Sequence, residues 1–142
     1  MSDQTDAVDA LQTALAAEHA AVYVLASLGG RLSRSDNATL FETVEQAYDD
    51  HVAARDTLID HVVAAGARPI GSAAAYDLPR GAGSPVGIRR AALALEQHCA
   101  ATYLSLVTAV NGDQRRLLIT LLGDAAVRQL DFGGSVETFP GS

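Results

Sequence analysis

Along most of this chain apolar residues recur at steps of three, four and seven, the period of an amphipathic α-helix. Four stretches carry that pattern. In the first, about 5–28, Val8, Leu11, Leu15, Val22 and Leu25 share a face, and Gly29-Gly30 stops the run. The second, about 36–65, begins at a Ser35 or Asp36 cap and ends at Gly66. The third, about 85–110, opens on Ser84-Pro85, an N-cap followed by proline at the first helical position. Asn111-Gly112-Asp113 is a tight stop and restart, and the fourth stretch covers about 114–132 before Gly133-Gly134. No segment shows the two-residue period of a strand.

The connections read short, long, short. Two short ones make two antiparallel helical hairpins. The middle one, 66–84, is rich in Gly, carries Pro69 and Pro79, and is long enough to traverse the bundle and return the chain to the end it left. An up-down-up-down bundle needs no such loop. One long crossover between helices 2 and 3 is the ferritin-like arrangement. The expected fold is therefore all-α, a ferritin-like four-helix bundle in one domain spanning 1–142.

Each apolar stripe has polar interruptions. Helix 1 reads Leu11, Leu15, Glu18, Val22, Leu25, with Glu18 between aliphatic neighbours. Helix 2 reads Phe41, Val44, Tyr48, His51, Arg55, Leu58, Val62. Asp49, Asp50, Asp56 and Asp60 fall on its solvated side. Helix 3 reads Ala92, Glu96, Cys99, Tyr103, Leu106, Val110. Helix 4 allows two stripes: Leu117, Leu121, Asp124, Arg128, Asp131, or Leu118, Leu122, Ala125, Phe132. With about 1.5 Å of rise per residue, Glu18, Glu96 and Tyr48 lie roughly 15–18 Å below the end of the bundle that holds Gly29, and His51 one turn lower. The expected polar layer is Glu18, Tyr48, His51, Arg55, Glu96, Tyr103 and Arg128.

Composition narrows the function classes. The chain has 142 residues, a net charge of −7 and 49% apolar residues with only 5% aromatics, so its core is built mainly from Ala and Leu. All ten basic residues are Arg. An acidic chain without a basic cluster argues against nucleic acid and anionic membrane surfaces. The single cysteine, Cys99, rules out an intrachain disulfide. Residues 1–9 carry three Asp and no basic residue, unlike a signal peptide, and no run has the length of a membrane span. The expected location is the cytoplasm. Ser27, Thr102 and Ser105 show no His–carboxylate partner, and the Gly-rich connection lacks a P-loop signature.

One Glu on helix 1, an i, i+3 pair on helix 2 and one Glu on helix 3 resemble the ferritin-like di-metal carboxylate proteins. That pattern implies Glu plus Glu-x-x-His in each half, because two hard cations need several oxygen donors and two imidazoles. Here Tyr48 stands at the helix 2 carboxylate position and no second His follows on helix 4. The chain more closely resembles an actinobacterial ferritin-like family of unknown function. The resembling pieces are Ala17-Glu18-His19-Ala20-Ala21-Val22-Tyr23, Ala47-Tyr48-Asp49-Asp50-His51 with Arg55-Asp56, Gly66-Ala67 before Pro69, Ala74-Ala75-Tyr76-Asp77-Leu78-Pro79, Glu96 to Tyr103, and Phe139-Pro140-Gly141. The resemblance implies the fold and carries no activity.

These residues favour a bundle without a functional di-metal centre, a binding or structural module in which Arg55 or Arg128 neutralises Glu18 and Glu96. No cofactor is expected. The alternative is an oxidase or metal-handling protein holding iron or manganese through Glu18, His51, Glu96 and Asp124. A third reading places a small molecule in the bundle core against Tyr48, Tyr103 and Cys99. Because 20–28 and 99–110 carry no charge on any face, each needs cover on two sides, by a second copy in a homodimer or by the crossover.

Overall fold

A computed structural model describes residues 2–135; the Phe139-Pro140-Gly141 piece lies outside the described residues. The four helices are α1 (Ser2–Gly29), α2 (Ala38–Ala64), α3 (Pro85–Leu106) and α4 (Gly112–Asp131), with one 3-10 turn, Val107–Ala109, between α3 and α4. The described residues contain no strand. Hairpin α1/α2 packs beside hairpin α3/α4, with α1 against α3, whereas α2 has little direct contact with α3 or α4. Among the described residues no helix is long and apolar enough to cross a membrane.

The helix ends follow from local chemistry. Ser84 caps α3 by accepting from the Gly87 N–H at 3.1 Å, and Pro85 occupies the first turn, where no N–H is needed. α2 begins later than the Ser35 or Asp36 cap predicts. The Asn37 N–H donates to the Ser33 carbonyl, and the Ser33 and Ser35 hydroxyls engage each other, so the turn consumes its own polar groups. Asn37 is left as the N-cap without a side-chain bond. α2 and α4 both end through a left-handed glycine, Gly66 at φ 83° and Gly133 at φ 87°. Beyond them the Ala67 N–H bonds the Val62 carbonyl and the Gly134 N–H bonds the Gln129 carbonyl.

The crossover runs along α1. The Gln12 side chain both donates to the Arg68 carbonyl at 2.7 Å and accepts from the Ile70 N–H at 2.9 Å. His19 Nε2 meets the Ile70 carbonyl at 3.0 Å, Tyr76 packs on Tyr23, and Arg31 bonds the Ala82 carbonyl. The crossover thus supplies part of the second cover that 20–28 needs. At its far end a Cβ on Gly87 would overlap the Gly81 carbonyl, so the loop docks where only glycine fits.

The core divides into two apolar clusters. One holds Leu11, Leu15, Leu58, Val62, Tyr103, Val110 and Leu118, and the other Leu25, Leu28, Val44, Ile88, Ala92 and Phe132. Along every helix the polar positions Glu18, His51, Glu96 and Arg128 fall between the residues of the two clusters. Alanines at 14, 21, 47, 54, 92, 100 and 125 are buried and allow the helices to approach closely.

The Gly87 contact sets a test. Gly87→Ala forces the loop off the start of α3 and should destabilise the protein by about 1–3 kcal/mol, read as a lower urea midpoint at unchanged slope. An unchanged midpoint would mean that the loop is free to shift.

Candidate functional site: a buried ionic layer

Glu18, His51 and Glu96 have no solvent exposure, and Arg128 retains 8%. His51 lies between the two carboxylates: Nδ1 is 2.5 Å from Glu18 Oε2 and Nε2 is 2.8 Å from Glu96 Oε1. A neutral imidazole has one N–H, whereas bonding a carboxylate on each side takes two. The ring is therefore read as imidazolium, donating both protons. Burial alone lowers its pKa, but the hydrogen bonds to Glu18 and Glu96 and their charges outweigh burial and raise it from 6.5 to about 9.

Arg128 supplies a second cation. Its Nε is 3.0 Å from Glu96 Oε2, with the N–H aimed off that line, so charge rather than an aligned hydrogen bond holds the pair. Its Nη1 is 3.7 Å from Asp50 Oδ2 at the layer's outer edge. Two carboxylates thus face two cations, which is how a low-dielectric interior tolerates ions. Cys99 is also fully buried. Burial first, then the Glu18 and Glu96 charges, push its thiol pKa well above the ordinary value, against an opposing pull from Arg128. Among the described residues, Glu18 Oε1 and the Tyr103 hydroxyl are buried without a hydrogen-bond partner.

Several expected members stand elsewhere. Arg55 keeps 29% of its side chain exposed and bonds its neighbour Asp56 at 2.9 and 3.0 Å, so it does not neutralise a buried Glu. Its aliphatic stem follows the stripe while the head snorkels out. Asp124 is exposed in the groove between α2 and α4, because the buried face of α4 is Leu118, Leu121, Ala125, Arg128 and Gln129, followed by Phe132, a phase close to the second of the two stripes that periodicity allows. Tyr48 is half-buried in a shallow groove beside Leu25, Phe41 and Val44. Tyr103 packs in the apolar cluster with Cys99. Rise alone puts Tyr48 level with Glu18, yet His51 meets it. α1 and α2 are antiparallel and side chains lean toward their own helix N-terminus, so the Glu18 and His51 heads converge. Ser27 and Ser105 donate to the carbonyls of Tyr23 and Thr102, local bonds with no His–carboxylate partner. Among the described residues no group of three or more His, Cys, Asp and Glu side chains has the geometry to hold a metal ion.

The chain and its fold are similar to known proteins. Residues 10–142 match the model of a domain of unknown function, DUF4439. A conserved hypothetical protein, rv2844, from Mycobacterium tuberculosis is 27% identical and superposes with a TM-score of 0.82, covering 92% of this chain and 89% of that one. Dps92 from Deinococcus radiodurans is 16% identical with a TM-score of 0.83 over 99% and 93% of the two chains. A dodecameric thioferritin, the bacterioferritin-related protein from Bacteroides fragilis, is 16% identical with a TM-score of 0.77 over 91% and 83%. No curated protein matches. The expected ferritin-like four-helix bundle is the fold observed.

The layer makes stability depend on pH with a definite sign. The folded pKa of His51 is raised, so its contribution is complete below pH 6.5 and is lost as pH rises through about 9. Across that window stability should fall by roughly 3 kcal/mol. Urea midpoints collected over the window should decline in the wild type and lose that slope in His51→Gln. A flat wild-type profile would show that His51 is not an imidazolium. Breaking the layer directly, Glu18→Leu should cost about 3–5 kcal/mol, against at most about 1 kcal/mol for Arg55→Met. In a double-mutant cycle Glu18 should couple to His51 and not to Arg55.

Proposed function

This chain belongs to the DUF4439 family, and we propose that its bundle is a self-associating binding or structural module whose core is neutralised by ion pairs instead of metal ions. One observation carries the reading: His51 sits between Glu18 and Glu96 with a ring nitrogen committed to each. An imidazole so placed has no lone pair to offer a cation, and its positive charge repels one. Arg128 beside Glu96 adds a second repulsion. A di-metal carboxylate site wants oxygen-rich coordination and two imidazoles. These donors do not fit such a centre: Tyr48 occupies the helix 2 carboxylate position outside the layer, and Asp124 faces the α2–α4 groove.

A second reading keeps iron or manganese on Glu18, His51 and Glu96. Glu18 Oε1 and Glu96 Oε2 support it, since both are buried carboxylate oxygens without a hydrogen-bond partner among the described residues. It requires His51 to surrender one of its two protons and turn that nitrogen from its carboxylate to the metal. Self-association draws support from the dodecameric state named for the thioferritin neighbour and from uncovered apolar surface on this chain.

Elemental analysis separates the two readings. Protein expressed in iron- and manganese-supplemented medium and purified without chelator should carry well below one equivalent of either metal per chain. Stoichiometric metal that disappears in His51→Gln would overturn the ion-paired reading in favour of the second.

A further inference from the structure

α4 leaves a row of large apolar side chains in solvent: Ile119 is 53% exposed, Val127 59% and Leu130 44%. Steps of three and four put them on one face, opposite the buried Leu118, Leu121, Ala125 and Arg128. In the middle of that face lies Gly123. Glycine is among the poorest helix formers. Among the described residues no packing requires it, because a Cβ there would meet no atom within 4 Å beyond its chain neighbours and its own helix backbone. A mid-helix glycine that packs against nothing in its own chain, centred on an exposed apolar row, is what a second helix at close approach needs.

We propose that this face binds a second copy of the chain, with the two α4 helices crossing antiparallel at Gly123 about a two-fold axis. The pattern is self-complementary about that residue. Ile119 and Val127 lie four residues to either side, so each Ile119 faces the other copy's Val127. Arg116 and Asp131, seven and eight residues out, bring opposite charges together at each end, where both side chains are exposed. An isologous contact pairs each residue on one side of the two-fold axis with its counterpart on the other, so complementary residues at matching distances from the centre satisfy it twice. Neighbouring α3 extends the surface: Leu93 lies close to Gly134 after α4, and the outward positions Ala101 and Leu104 carry no charge. The latter two belong to the uncharged stretch 99–110 that needs a second cover. The other such stretch, 20–28, is already partly covered by the crossover through Tyr23 and Tyr76.

This inference rests on the self-association proposed above and assigns it a face. Light scattering at tens of micromolar should give a dimer or a multiple of it, and Ile119→Glu with Val127→Glu should give folded monomer or, in a larger assembly, remove one dimer contact. Gly123→Ala should raise the melting temperature of dilute monomer yet weaken association by about tenfold or more, since the new methyl groups meet at the crossing. Gly123→Cys should form an intermolecular disulfide on mild oxidation, far faster than Val86→Cys on the exposed first turn of α3. Native Cys99 is fully buried and does not interfere. A wild-type monomer would sink both self-association and this face. An assembly unaffected by the two Glu substitutions, or a Gly123→Cys variant that crosslinks no faster than Val86→Cys, would sink the face alone.

Discussion

Two carboxylates with no access to water sit in the middle of this bundle, and the rest of the structure must answer their charge. Burying an ion without a partner costs far more than any single apolar contact returns. His51 answers by protonation, held on both sides by the groups that keep it protonated. Arg128 answers from α4 and reaches Asp50 at the rim. The result ties α1, α2, α3 and α4 together through one set of contacts, in a bundle where α2 otherwise barely touches α3 and α4. Replacing such a layer by well-packed apolar residues is often neutral in stability. The contacts among these four side chains link the positions of all four helices.

The layer also explains how an alanine-rich core is divided. Small side chains let α1 approach α2, and α3 approach α4, but they leave little volume to fill the bundle axis. Large residues gather above and below, Leu25, Leu28, Ile88 and Phe132 in one cluster and Leu11, Leu15, Leu58, Tyr103 and Leu118 in the other. Between them the long polar side chains occupy the space. On the open α2–α4 side that space continues into a groove lined by Asp50, Asp124 and Arg128. Arg128 thus marks the boundary between the buried ion pairs and solvent.

Similarity to Dps92 and to the thioferritin at 16% identity is a likeness of fold. A fold of this kind hosts different chemistry according to the side chains in its central layer. In this chain the central layer sets Glu18 and Glu96 against the His51 imidazolium and the Arg128 guanidinium.

Hydrophobic period and glycine placement in the sequence determined four helices, their approximate limits and the long crossover, because these depend on interactions within a few residues. The same period placed Glu18, His51, Glu96 and Arg128 on inward faces. What it left open is relational. Periodicity gives the direction of a side chain around its own helix, not the rotation of that helix against its neighbours. For this reason Arg55 and Arg128 read alike as partners, and α4 admits two stripes, of which the buried face lies nearer the second, with Leu118, Ala125 and Phe132 inward and Arg128 toward the edge. It also gives depth at the Cα and omits the lean of the side chain, which is why rise alone puts Tyr48 and not His51 level with Glu18. Tertiary packing alone decided that one histidine spans both carboxylates, that Arg128 rather than Arg55 joins them, and that α4 turns Ile119, Gly123 and Val127 to solvent. Each of those outcomes depends on a distance between helices, and no interaction local in sequence fixes such a distance.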